Sequence, residues 1–221
     1  MSVSLLCGLL DDRVAVTTPS ERRFARLAFS LLNPVPGSAC HFGGSRRAPG
    51  GDTAYVASIR VELCHGVGER ALVGSLDDAR AITAAMPEDW SFSRFEQDPL
   101  REGRAVAEFT YLREDYPLEY LEELTFRLEN LLPAVPVGQA PLELALLDLW
   151  GGVLETFSLA VQKERQPPGI LAFYASPSST YPGGRVQLLY QGCGVERPVI
   201  QPGGYDASKC PVTVTVDGPR H

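Results

Sequence analysis

Two Cys-His dipeptides are the first residues in this sequence whose chemistry could define a function. Cys40-His41 lies in the stretch SACHFGG and Cys64-His65 in ELCHGVG, and the chain contains only three histidines. Zinc needs about four nitrogen or sulfur ligands, which proteins usually supply in pairs separated by two to five residues. Adjacent Cys and His residues lack that spacing, and in a strand their side chains leave opposite faces. The sequence therefore predicts no metal site.

The same four residues leave two other interpretations open. Cys40 and His65 could form a catalytic thiol–imidazole couple, although no signature of a known class of cysteine enzyme surrounds them. In the other interpretation, Cys64 is a thiol at the end of a strand and His65 is a partly buried imidazole. We adopt the second interpretation and predict no catalytic residue and no bound cofactor.

The loop Gly43–Gly51, which reads GGSRRAPGG, could bind an anion. Its glycines leave backbone N–H groups accessible, and Arg46 and Arg47 offer forked donors to phosphate or carboxylate. Neither a phosphate-binding P-loop motif nor a Gly-x-Gly-x-x-Gly motif is present. A solvated connection is the simpler interpretation. A small enzyme or anion-binding domain that uses this loop with Cys40, His41 or His65 remains the alternative.

The clearest surface signal is a group of six acids that lie between residues 113 and 129, where only two arginines oppose them. The acids are Glu114, Asp115, Glu119, Glu122, Glu123 and Glu129. An acidic face of this kind is either simply solvated or able to steer a basic protein toward it. The sequence therefore favours a non-enzymatic protein-binding module, such as an inhibitor or immunity-type protein, an adaptor or an assembly component, with a basic protein as its partner.

Composition limits the other classes of function. The chain has 221 residues, of which 44% are hydrophobic and 21% charged, as expected of a folded globular protein. Its net charge of -7 argues against nucleic acid or an anionic membrane as the partner. The N-terminal apolar run is broken at Asp11-Asp12 and has no basic residues before it, so we expect a soluble, cytoplasmic protein. The five cysteines are an odd number and are predicted to be reduced.

Apolar spacing predicts four helices that would position these residues. They run from Thr18 to Asn33, from Ser75 to Met86, from Pro117 to Leu132 and from Leu142 to Trp150. The third helix would bury a leucine stripe and turn the acids outward. The stripe consists of Leu118, Leu121, Leu124, Leu128, Leu131 and Leu132. The fourth helix is apolar nearly all round, which predicts a central position and a larger role in the core for Leu146 than for Leu128.

Alternating residues predict strands between these helices and after them. The predicted strands are residues 53–63, 104–112, 157–161, 170–175, 186–190 and 212–216, with an N-terminal hairpin formed by residues 3–7 and 13–17. The four predicted strands from residue 157 onward would form an antiparallel meander. The fold class predicted is α+β, a mostly antiparallel sheet with about four helices packed on it. Residues 1–221 form one domain in this interpretation, with a candidate sub-boundary near residue 152.

One short segment resembles a known family. Residues Ala140–Gly152, APLELALLDLWGG, are similar to the A-x-x-A-L-x-D-x-x-G stretch in the capping domain of enolase-superfamily enzymes. The resemblance covers this stretch alone. The catalytic lysines and metal-binding acids of that family lie in a barrel that needs far more chain than follows Gly152, so the resemblance implies no activity here.

Overall fold

The structure is a computed structural model that describes residues 4–16, 24–43, 55–165, 169–177, 181, 183–193, 199–200, 205–206 and 212–215. Its internal contacts divide the chain into two compact units, residues 1–165 and 166–221. The sequence placed a candidate sub-boundary near residue 152, whereas the contacts divide the chain after Arg165. Each unit is described by itself below.

The described part of the first unit consists of strands and one short helix. In chain order they are β1 (Leu6–Leu9), β2 (Arg13–Ala15), β3 (Ala25–Leu32), β4 (Cys40–Phe42), β5 (Tyr55–Val56), β6 (Ser58–Cys64), α1 (Leu76–Arg80), β7 (Thr83–Ala85), β8 (Trp90–Phe92), β9 (Glu96–Gln97), β10 (Arg104–Tyr111), β11 (Tyr116–Leu118), β12 (Glu123–Leu131), β13 (Gly138–Leu147) and β14 (Val153–Glu164).

The predicted α+β class is wrong, because the described chain is almost entirely β-sheet. Three of the four predicted helices coincide with strands: β3, β11 with β12, and β13. Their leucines fit a helical period, but the same segments also alternate, as in Leu124-Thr-Phe126-Arg-Leu128, and it is the alternate residues that are buried. Among the described residues, no helix is long and apolar enough to cross a lipid bilayer.

The second predicted helix is confirmed at its start and wrong in its length. Ser75 caps α1, and its hydroxyl accepts a hydrogen bond from the backbone N–H of Asp78 at 3.1 Å. The helix ends at Arg80 rather than Met86, because Thr83–Ala85 forms β7 and pairs with β12. The cap of the first predicted helix, at Thr18, lies outside the described residues.

Two sheets pack face to face as a β-sandwich. One has four strands in the order β1-β3-β12-β7, and the other has the order β2-β14-β13-β6-β10-β8, with β9 beside β10. Alternate residues of each sheet point into one shared hydrophobic core. The ring of Phe109, on β10, lies 5.8 Å from Phe29 and 4.6 Å from Phe126, so aromatic contacts join the two sheets. A smaller sheet, β11-β4-β5, completes the unit.

The strand predictions in the first unit are confirmed in the middle of the chain and wrong at the N-terminus. β6 and β10 form where alternation predicts them and pair antiparallel. The N-terminal hairpin does not form, because β1 pairs with β3, while β2 pairs with β14 in the other sheet. Hydrogen-bonding partners distant in sequence therefore replace the local hairpin.

The second unit contains five described strands. They are β15 (Gly169–Ser176), β16 (Arg185–Cys193), β17 (Val199–Ile200), β18 (Tyr205–Asp206) and β19 (Val212–Thr215). β15, β16 and β19 form an antiparallel sheet and β17 pairs with β18. The predicted meander is confirmed for β15, β16 and β19. Its first predicted strand, residues 157–161, belongs instead to β14 of the first unit.

Candidate functional site

The acidic segment is not the outward face of a helix, which corrects the sequence interpretation. Residues 114–129 form the end of a loop, the short strand β11, a second loop and most of β12. Glu129 lies on β12 and pairs with Arg26 at 3.7 Å, so it is separated from the acids of the two loops. The acids that remain candidates for a common surface lie on the loops that flank β11 and, for Glu123, at the first residue of β12.

Two of the acids are used to hold these loops in place. Asp115 Oδ1 lies 2.7 Å from Nδ1 of His41, whose side chain is only 16% exposed. Glu122 accepts hydrogen bonds from the Tyr116 hydroxyl at 2.8 Å and from the backbone N–H of Glu119 at 2.9 Å. Burial, with the hydrogen bond to Glu122, raises the pKa of Tyr116 to about 12, so this phenol stays a donor at neutral pH.

The other three loop acids are available at the surface. Glu114, Glu119 and Glu123 are exposed, and in the described part of the chain no side chain pairs with their carboxylates. Arg113, the nearest cation in sequence, is paired instead with Asp89 at 2.8 Å. Among the described residues, the carboxylates of Glu114, Glu119 and Glu123 are therefore left without a compensating positive charge.

Exposed apolar side chains lie among these acids. Leu112 is 65% exposed, Tyr120 46% and Leu121 62%. Helical periodicity placed Leu121 in the buried stripe, which is wrong; no local sequence signal distinguishes it from its buried neighbours. We call the residues Leu112–Asp115 and Glu119–Glu123 the loop surface.

The backbone holds Leu121 in its exposed position. Its φ of 61° lies in the left-handed region that L-residues with large side chains rarely adopt. Its N–H donates to the carbonyl of Asn33 at 2.8 Å. Asn33 is itself buried and donates from its side-chain amide to the carbonyls of Ser38 at 2.7 Å and Leu118 at 2.8 Å. The exposed leucine is therefore fixed by a buried hydrogen-bond network.

The residues of the alternative catalytic site are distributed over different sheets. Cys40 lies on β4 in the smaller sheet and is 8% exposed, and burial, with the charge of Glu155, raises the pKa of its thiol to about 12. His65 follows β6 and contacts Gln97, its Nε2 being 2.9 Å from the amide oxygen. Within the described residues no hydrogen bond joins Cys40 to His65, and no group of three or more His, Cys, Asp or Glu side chains is arranged to hold a metal ion.

The Gly43–Gly51 loop is described only at its first residue. Gly43 has a φ of 148°, and a Cβ atom there would collide with the carbonyl oxygen of Glu114. A glycine is therefore required where this loop leaves β4 and passes the loop surface. Arg46 and Arg47, the predicted anion ligands, lie outside the described residues.

Comparison with known proteins adds a distant structural likeness. No protein family and no curated protein matches the sequence. Among solved structures, the chain is similar to a variant of BcpA, the major pilin subunit of Bacillus cereus, with 7% sequence identity and a TM-score of 0.32. The alignment covers 97% of this chain and 66% of the pilin chain. A likeness this low carries no argument about function.

Proposed function

We propose that this protein is a non-enzymatic binding module whose loop surface holds a basic protein partner. The observation that carries the proposal is Leu121, which is held in a strained, exposed conformation between two carboxylates, those of Glu119 and Glu123, that no described side chain pairs with. Strain of this kind costs about 1–3 kcal/mol and is commonly found at ligand-binding sites. A rigid apolar side chain also loses little conformational entropy when a partner covers it.

The chemistry of the loop surface defines the partner. Glu114, Glu119 and Glu123 would attract lysine or arginine side chains and accelerate encounter. Leu112, Tyr120 and Leu121 would provide the apolar contact area that such an encounter needs to become a stable complex. The partner is therefore a protein with a basic rim around an apolar socket. An inhibitor, an adaptor and an assembly component all meet this description.

We further propose that the protein acts in the cytoplasm. Cys7, Cys40 and Cys64, the three cysteines whose side chains the structure describes, carry no disulfide. Unpaired thiols are typical of a reducing compartment.

Site-specific photocrosslinking tests the proposed surface. A benzophenone amino acid would replace Leu121 in one protein and Leu100, which is 91% exposed elsewhere on the first unit, in the control. We expect irradiation in extracts of the source organism to yield one basic protein crosslinked at position 121 and not at position 100. Equal adducts at both positions, or an acidic protein at position 121, would contradict the proposal.

Charge removal then tests the role of the acids with the captured partner. Glu119→Gln/Glu123→Gln should slow association by about tenfold and flatten its salt dependence, because steering depends on these charges. The matched control is Glu88→Gln/Glu102→Gln, which removes two exposed carboxylates outside the loop surface. Stopped-flow kinetics at low and high salt provide the measurement. An on-rate equal to that of the control variant would show that the loop acids do not guide the partner.

A further inference from the structure

A groove crosses the outer face of the seven-stranded sheet, on the side opposite the hydrophobic core. It encloses about 260 Å³ and is bordered by three arginines, Arg60, Arg101 and Arg104, and by two glutamates, Glu62 and Glu143. This volume lies just below the range of about 300–1,000 Å³ that is typical of pockets for drug-sized ligands. The groove therefore suits a small molecule.

The strand register explains why space is left there. Ala145 on β13 pairs with Arg60 on β6 and with Thr156 on β14, so two short side chains lie beside a long one. In the next row of the sheet, Glu143 on β13 lies directly opposite Glu62 on β6 in the strand register. Long side chains thus stand around a floor made by Ala145 and Thr156.

Two carboxylates, those of Glu108 and Glu62, pair with the arginines that border the groove. Glu108 Oε1 accepts hydrogen bonds from Arg60 Nε at 3.2 Å and Nη2 at 3.1 Å. Glu62, whose side chain is only 7% exposed, pairs with both Arg101 and Arg104. Its Oε1 lies 2.8 Å from Arg104 Nη1, although the two atoms are not aligned as a hydrogen bond. These contacts fix the arginines in place.

Two complementary groups remain unpaired at the mouth of the groove. Glu143 uses Oε1 to accept a hydrogen bond from Ser158 at 3.0 Å, which leaves its Oε2 without a partner among the described residues. Arg60 donates to Glu108 through Nε and Nη2, and its Nη1 has no partner among the described residues. A simple anion would leave Oε2 of Glu143 without a partner, and a simple cation would leave Nη1 of Arg60 without one. A molecule that carries both charges satisfies both sides.

We propose that this groove binds a free α-amino acid. The carboxylate of the ligand accepts hydrogen bonds from Arg60, and its ammonium group donates to Glu143. Ala145 and Thr156 accommodate the side chain. This binding is independent of the loop surface.

Calorimetry on the whole chain tests the ligand class. A thermal-shift screen of the twenty amino acids selects the probe, and titration calorimetry then compares it with acetate, ethylammonium and glucose. We expect at least one amino acid to bind, and each probe with one charge or none to bind at least about tenfold more weakly, because each lacks a charge-assisted contact. The proposal is overturned if no amino acid binds, or if acetate, ethylammonium or glucose binds as tightly.

Two variants locate the binding. Glu143→Gln removes the acceptor for the ammonium group and should weaken binding at least about tenfold, while relieving the like-charge pair with Glu62. Ala145→Leu fills the floor, leaves every charge in place and should abolish binding. Glu88→Gln, far from the groove in sequence and not among its lining residues, should bind normally. Thermal melts verify folding of each variant. Wild-type affinity in Glu143→Gln would disprove the site even if Ala145→Leu failed to fold.

Discussion

Lys163 is a positively charged residue with no exposed surface. Its ammonium group donates to the carbonyl oxygens of Ala71 at 2.6 Å and Ala134 at 3.1 Å, and lies 3.5 Å from that of Gly68. Burial lowers its pKa, which the nearby charge of Glu69 partly offsets. The lysine therefore links β14 to the two loops that carry Ala71 and Ala134.

Replacement of this lysine should destabilise the protein. We expect Lys163→Met to lower the free energy of unfolding by about 2–3 kcal/mol, because two buried carbonyls lose a charged donor. Urea denaturation at pH 7 measures the change. Gln162→Met, on the neighbouring half-buried position of β14, provides the control and should have a much smaller effect. Equal midpoints for Lys163→Met and wild type would mean that water replaces the ammonium group without cost.

The thiols of Cys7 and Cys40 should resist modification. Burial, with a smaller contribution from Glu155, raises the pKa of Cys7 and of Cys40 to about 12. Because the thiolate is the reactive form, we expect iodoacetamide at pH 8 to label Cys64 at least about tenfold faster than either of them. Peptide mapping by mass spectrometry measures each rate, and labelling in denaturant gives the control. Rapid labelling of Cys40 in the folded protein would contradict its placement on β4.

The same shifts predict the direction of a pH dependence. An unfolded thiol titrates near about 8.5, whereas these two titrate near about 12 when folded. The unfolded chain therefore loses protons first, and stability falls as the pH rises from about 8.5 toward 12. Cys7→Ala/Cys40→Ala should reduce this alkaline loss in denaturant titrations at pH 7 and pH 10. An identical loss in the variant would assign it to other groups.

At the scale of elements, the two sheets contribute equivalent leucines to the core. Leu146 on β13 and Leu128 on β12 are both fully buried. A helical interpretation makes Leu146 central and Leu128 peripheral, whereas the sandwich places them on its two inner faces. The strands therefore correct the predicted ranking of these residues.

Truncation of either leucine should be costly. We expect Leu146→Ala and Leu128→Ala each to lower the free energy of unfolding by about 2–5 kcal/mol, through lost burial and a residual cavity. Leu100→Ala, at a position that is 91% exposed, should change it by less than about 0.5 kcal/mol. Denaturant melts of the three variants decide the matter. A nearly neutral Leu128→Ala would argue against β12 as a core strand.

At the scale of the whole molecule, the first unit contains a complete core. The main hydrophobic cluster extends from Leu5 to Val161, and the strand pairings described for β1 to β14 all join strands of this unit. We therefore expect residues 1–165 alone to unfold cooperatively, with β-sheet circular dichroism in the folded state. Thermal melts of this fragment and the whole chain test this. A fragment without a cooperative transition would show that the second unit is needed for folding.

Features that depend on near neighbours can be read from the sequence. The Ser75 cap of α1, the alternation of β6 and β10 and the C-terminal meander all form where the sequence predicts them. Each depends on residues a few positions apart, because a cap is made within one turn and alternation follows from the two-residue period of a strand. The cluster of acids between residues 113 and 129 is also visible in the sequence, although the helix predicted to carry it is absent and the segment forms loops and strands.

Only the tertiary structure decided which leucine-rich segments became strands and which acids remained at the surface. Leu27 pairs with Leu128 across the sheet, and Asp115 meets His41 from a loop distant in sequence. A segment such as β12 or β13 satisfies both helical and alternating periods, so its own residues do not determine its conformation. Backbone groups must find partners when they are buried. For β12 the partners are β3 and β7, and for β13 one of the two partners is β6, all of them distant in sequence. The burial of every second side chain between two sheets then outweighs local helix propensity.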